Sequence, residues 1–236
     1  MKTRPLPETD LATIAPLPVE DKRRALQSFR LGIPPYSYTP CRSSFADILN
    51  LEAGMLGELP MPPWPSVMGV IQQKSKSRVE EEANIRVAAG LYEYAAQMGL
   101  RGRKDEFRPM PTRVGENLVY WTPAVLIVNE RPLIPFFHPR RTRLSRLARR
   151  FIFSMINERI RVDNPDYRDV ALGIYEFEAN DAGPRRPALQ VDEGIELFSY
   201  EQLDAMVGET YAIWREVCEA RAQETRRRPT GTGPLL

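Results

Sequence analysis

Two hydrophobic periods alternate along this chain, and the places where one gives way to the other outline its elements. The first 37 residues carry neither. Pro5, Pro7, Pro16, Pro18, Pro34 and Pro35 interrupt them, and each proline fixes φ and removes an amide donor. They read as an extended Pro-rich arm, with at most a helical turn or two near Val19–Phe29. Ser43 or Ser44 can cap a short helix over Phe45–Glu52 that stops at Gly54. Pro60, Pro62, Pro63 and Pro65 read as a polyproline connector, and Val67–Gln72 as a short strand.

Ser77 and Glu80 stand at capping-box spacing and open a helix that runs to about Met98 and ends at Gly99. Val79, Ala83, Val87, Leu91 and Ala95 form its apolar stripe. Extended segments follow near Phe107–Val114 and Leu118–Val128. The run Ala124–Val128 is apolar throughout, as in a strand buried on both faces. Asn129-Glu130-Arg131 is a turn, and Leu133–Phe137 returns as a strand. Pro132 and Pro135 place that strand at an edge or a bulge. Thr142–Arg161 reads as a helix with Leu144, Leu147, Phe151 and Met155 inward. Ala171–Phe177 is a strand, and 179–194 is a Gly/Pro/Asp-rich loop. Ser199 caps a long last helix, with Gln202 completing a capping box and Leu203, Met206, Val207, Trp214 and Val217 on one stripe.

The expected architecture is α/β: a small mixed β-sheet flanked by helices at about 77–98, 142–161 and 199–225. The expected organisation is an arm over 1–37, a single α/β domain over 38–225 and a disordered basic tail over 226–236. No internal repeat is visible.

Composition narrows the chemistry. The 236 residues carry a net charge of +2, with 42% apolar and 27% charged residues, which is ordinary for a globular chain. Cys41 and Cys218 are the two cysteines and His138 is the one histidine. A disulfide framework and a His/Cys zinc site therefore lack their ligands, and no metal or cofactor is expected. No apolar run spans a bilayer, the N-terminus lacks a signal-peptide core, and the cytoplasm is the expected compartment. Neither a Walker loop, a dinucleotide fingerprint nor a nucleophile elbow is present.

One segment departs from this balance. Between Arg140 and Arg161 lie eight arginines and a single acid, Glu158. Arg140, Arg141, Arg143, Arg146, Arg149 and Arg150 are the candidate nucleic-acid-binding residues. Arg143, Arg146 and Arg150 would share one helical face, and guanidinium forks match phosphate oxygens; the alternative is a solvated helix face whose arginines pair with Asp and Glu elsewhere in the fold, where 31 acids are available. Tyr120, Trp121, Phe136 and Phe137 could stack on bases or fill a core. His138 could act as a general base or serve a structural role.

The order of elements resembles a known family. A helix starting with Glu80, Glu81 and Glu82 precedes Arg108-Pro-Met-Pro. Then come Tyr120-Trp-Thr-Pro-Ala-Val-Leu-Ile-Val, a turn, Leu133-Ile-Pro-Phe-Phe-His-Pro-Arg and a helix. Over about residues 77–160 this resembles the core of the PD-(D/E)xK nucleases, and especially the TnsA-like transposon endonucleases. That resemblance implies a nuclease-like fold, with Glu81, Glu82, His138 and Arg140 as catalytic candidates. The family's metal-binding carboxylates are replaced here by Pro123-Ala124 and by Phe137-His138-Pro139-Arg140, so the scaffold would be catalytically degenerate. A second register, Pro165-Asp166 with Glu176-Phe-Glu178, resembles that spacing with Glu178 in place of the lysine, although Asp166 also reads as a helix or turn cap and Glu176 as a solvent-facing strand residue.

The functional expectation is thus a nucleic-acid-binding protein on a nuclease-like scaffold. One alternative is a protein–protein component of a mobile-element, phage or secretion assembly, in which the arginines meet an acidic partner. The arm and last helix would then contact a protein or a second copy. The other alternative is a metal-dependent DNA endonuclease. No membrane contact is expected.

Overall fold

A computed structural model describes residues 5–29, 37–51, 60–180 and 182–227. Five strands form the main sheet: β1 (Arg101–Lys104), β4 (Ala124–Val128), β5 (Arg131–His138), β6 (Ala171–Phe177) and β7 (Pro187–Val191), in the order β1-β4-β5-β6-β7. β5 and β6 run parallel and every other pair is antiparallel. A separate two-stranded ribbon pairs β2 (Met110–Pro111) with β3 (Asn117–Leu118). The protein is therefore mixed α/β, as the alternating periods imply.

Both faces of the sheet are covered. Val125, Ile134, Phe136, Leu172 and Ile174 point into one core, which is completed by α1 (Glu8–Ile14), α2 (Val19–Ser28), α7 (Arg146–Ile156) and α8 (Tyr200–Arg227). Ala124, Leu126, Val128, Leu133, Phe137, Tyr175 and Phe177 point into the other. That second core is completed by the short helices α3 (Thr39–Arg42) and α4 (Phe45–Ile48) with α5 (Trp64–Lys74) and α6 (Arg78–Met98). Side chains alternate between faces with period two, so burial on both sides explains the unbroken apolar run of β4.

β5 is the central strand rather than an edge. In a strand, the N–H and C=O of one residue point to the same side. Pro135 accepts Thr122 N–H at 2.7 Å on the β4 side. The β4 pairing ends at Leu133, so the missing donor of Pro135 lies beyond it. Pro132 faces β6, whose pairing begins only at Leu133. Neither proline removes a ladder hydrogen bond, and the rule confining proline to edges does not apply.

Several elements differ from the periodicity. Residues 8–14 are helical where an extended arm was expected, and the helical turn or two expected near Val19–Phe29 is a full helix over 19–28. Leu11, Ala12, Ile14 and Leu26 are buried, and the buried Lys22 ammonium donates to Glu209 of α8. Pro7 and Pro18 sit at the N-caps of these helices, where a missing amide is harmless. Likewise, Val67–Gln72 belongs to α5 and not to a strand, because Pro63 and Pro65 start a helix that buries Val67 and Ile71 four residues apart. β1 and β7 lie in segments without a strand pattern. α4 ends at Ile48 rather than Glu52, and the expected stop at Gly54 lies outside the described residues, as does the tail from 228.

The capping signals mark true helix ends. Ser77 Oγ accepts Glu80 N–H, and Gly99 closes α6 in the left-handed region at φ 55°. The Glu80 carboxylate does not complete the box, however. It accepts Lys76 N–H at 2.7 Å and Ser37 N–H at 2.9 Å, and these two amides hold it below the usual carboxylate range. Ser199 and Gln202 do form a reciprocal box. Val87, Leu91 and Ala95 of the expected α6 stripe are buried, whereas Val79 at its start is 61% exposed and Asn84 and Ala88 also point inward. On α7, Leu147 is 40% exposed. Its helix ends at Ile156 and continues as a π-helical turn over Asn157–Val162.

Candidate functional site: the arginine-rich segment

The segment from Arg140 to Arg161 leaves the C-terminal end of β5, caps α7 through Ser145, and enters the π-helical turn. Its arginines are largely engaged within the chain. Arg140 forks onto Asp10 of α1 at 2.7 and 2.9 Å, and this carboxylate raises its pKa. Arg149 donates to Glu176 at 3.2 Å. Arg150 pairs with Glu196 at 3.6 Å and lies 3.8 Å over the Phe198 ring. Arg159 pairs with Asp163. Arg161 forks onto Asp192 at 2.6 and 3.2 Å and donates to Val170 O. Arg141 is exposed but also has an interaction within the chain. Arg143 and Arg146 are exposed.

Glu176 holds this arrangement from below. It is buried in β6 rather than facing solvent. Its carboxylate accepts Leu144 N–H at 2.7 Å, Arg149 at 3.2 Å and Gln190 Nε2 at 2.7 Å. Buried charge is tolerated only when its oxygens are satisfied in this way. Arg185 does the same for the neighbouring loop. It is buried, and its guanidinium donates to Pro139 O at 2.6 Å, Glu178 O at 2.8 Å, and Arg140 O and Phe177 O at 3.2 Å. Arg185, Asp10, Asp192 and Glu196 were not among the predicted site residues, and Glu176 entered only through the second nuclease register. Each lies far along the chain from the arginine or loop it meets, so no local motif could reveal the pairing.

His138 is buried at the end of β5. Its Nε2 lies 2.8 Å from Thr142 O, so that nitrogen carries the proton and donates. Nδ1 is buried without a partner. Burial pushes the imidazole pKa below its ordinary 6.5, against the opposing effects of the Thr142 hydrogen bond and Glu176. An unfolded histidine gains its proton near pH 6.5 while the folded one stays neutral. Stability from His138 is therefore complete above about pH 6.5 and is lost as pH falls toward the lowered folded value. Urea midpoints measured at pH 7.5 and 5.5 should fall more in the wild type than in His138→Gln.

The glutamates of the nuclease resemblance do not meet this segment. Glu81 accepts Gln72 Nε2 at 3.1 Å, and Glu82 pairs with Arg78 and Arg86 on the surface of α6. Ala124 and Arg140 sit on other elements, and Arg140 is turned to Asp10. Among the described residues no group of three or more His, Cys, Asp or Glu could hold a metal ion. Tyr120, Trp121, Phe136 and Phe137 are buried in the two cores, so they are core aromatics. Burial also pushes the Cys41 thiol up to about 12. No helix among the described residues is long and apolar enough to cross a membrane.

Comparison with known proteins sets this arrangement in a family. The family model described as sliding clamp-binding bacterial toxin SocB matches residues 9–224. The DNA replication inhibitor toxin SocB of Caulobacter vibrioides (strain NA1000 / CB15N) is 33% identical over 234 residues, covering 99% of this chain and 97% of that protein. No solved structure matches. These matches overturn the TnsA-like nuclease resemblance, the nucleic-acid-binding expectation drawn from the arginine segment, and the mobile-element setting. Similarity of element order over about 77–160 carried that reading, and order alone is shared by unrelated proteins. The match runs instead from α1 to α8, and the chain belongs to the family of sliding clamp-binding bacterial toxins.

Proposed function

We propose that this chain inhibits bacterial DNA replication by binding the sliding clamp, a protein–protein activity. The end-to-end relationship to the Caulobacter toxin carries this reading. It agrees with the protein-interaction alternative of the sequence. The state of the arginines supports it: five of the eight form ion pairs with carboxylates of their own chain, so the segment offers a polyanion far less free charge than its composition suggests. In this reading Arg140, Arg149 and Arg150 hold α1, β6 and the loop before α8 in place. The site of action would be the cytoplasm, where bacterial chromosomes are copied.

The test is DNA synthesis on a primed template with purified components. The chain should suppress synthesis that depends on the clamp and leave clamp-independent synthesis by the same polymerase intact. Equal suppression of both would point to the template or polymerase and contradict the proposal.

A further inference from the structure

We infer that this chain pairs with a second copy of itself through the end of the sheet where β5 and β6 begin. A cleft of about 440 Å³ opens there, and its lining combines the apolar Pro132, Ala171 and Val191 with the charged Arg131, Asp169 and Glu193. Its shape is set in advance. Arg161, delivered by the π-helical turn, forks onto Asp192 at 2.6 and 3.2 Å and onto Val170 O at 2.8 Å. That ion pair is mostly buried, so the cleft wall is fixed by the fold.

Three features stand out around the cleft. The β4–β5 turn places Asn129 at φ 50° and Glu130 at φ 65°. Left-handed backbone at both positions is the hairpin type that favours glycine second, and a glutamate there costs about 1–2 kcal/mol. The π-helical turn is a rare element found disproportionately at functional sites. Val162 on that turn is 64% exposed and Val191 is 36% exposed, the first being the most exposed of the large apolar residues described. Local rules broken together in one place mark a surface kept for contact.

The charges select the partner. Arg131, Asp169 and Glu193 are exposed, and their side chains have no hydrogen-bond or ion-pair partner among the described residues. Both signs therefore stand unpaired on one face. A nucleic acid would be repelled by the two carboxylates, and a partner of uniform charge could satisfy only one sign. A twofold axis satisfies both, because each patch then meets its own copy and Arg131 of one chain faces Asp169 and Glu193 of the other. Val162, exposed one residue after the lining Arg161, supplies the projection and the cleft the recess that an isologous contact needs.

Sedimentation equilibrium of the full chain decides the matter, with mass as the readout and no dependence on the clamp. The wild type should show twice the 27.0 kDa chain mass. Arg131→Glu alone, and Asp169→Lys with Glu193→Lys, should each weaken self-association at least about tenfold, because like charges then oppose across the axis. Mixing the two variants should restore the dimer, since every contact is again between opposite charges. Val162→Asp, at an exposed position, should give a folded monomer. A wild-type monomer at all accessible concentrations overturns the inference. So does a Val162→Asp dimer of wild-type affinity, or a mixture of folded charge variants that stays monomeric.

Discussion

Gly90→Ala should destabilise this protein by about 3 kcal/mol, against the ordinary rule that alanine strengthens a helix by about 1 kcal/mol over glycine. Gly90 lies inside α6, where the chain entering β7 crosses it. A Cβ built there would lie 1.9 Å from Arg185 O and 2.4 Å from its carbonyl carbon. Those atoms are backbone, held by Arg185 N–H donating to Arg86 O at 2.9 Å. They cannot yield as a side-chain end would. Moving them would also pull the buried Arg185 guanidinium from Pro139 O and Phe177 O, leaving buried polar groups unsatisfied. Overpacking costs about 1–3 kcal/mol, and the lost hydrogen bonds place this case at the upper end. Gly69→Ala in α5 is the control, because its Cβ meets nothing within 4 Å; it should be neutral or stabilising by up to about 1 kcal/mol. Thermal denaturation of both variants checks the contrast, and a Gly90→Ala melting point at or above wild type would refute the close approach.

Glu176→Ala should cost about 3–5 kcal/mol, the range for removing one partner of a buried charge pair. Three donors lose their acceptor at once: Leu144 N–H, Arg149 and Gln190. The Arg149 charge is then left against α7 with no compensating carboxylate. Leu144 begins the turn that Ser145 caps, so the entry to α7 loosens too. Glu176→Gln keeps the shape and one acceptor oxygen and should lose less. The melting temperature of Glu176→Ala should drop on the order of 10 °C. A loss under about 1 kcal/mol would mean that the arginine segment does not depend on this acid.

Elements announced by local chemistry were legible in the sequence. Ser77, Gly99 and Ser199 act on amides and carbonyls a few residues away, so α6 and α8 could be placed. β6 matches its expected span because Leu172, Ile174, Tyr175 and Phe177 are a dense apolar and aromatic run. Elements formed by distant packing were not legible. α1 and α2 look too rich in proline and charge until α7 and α8 cover them, and β7 looks like loop until it pairs with β6. β5 was placed at an edge because the direction in which each proline faces depends on where its neighbours end.

The arginine segment shows the same limit for function. Eight guanidinium groups in 22 residues look uncompensated when read locally, because Asp10, Asp192 and Glu196 arrive from other elements. Glu176 was weighed as a solvent-facing residue or part of a metal motif, and neither describes a buried acceptor of three hydrogen bonds. No short motif among those read pointed to a clamp; kinship along the whole chain did.

The decisive experiment is binding of the purified chain to an immobilised bacterial sliding clamp, with duplex DNA as competitor at low salt. Saturable binding to the clamp that excess duplex does not displace is the expected result. No affinity for the clamp, together with salt-dependent binding to the duplex, would contradict it.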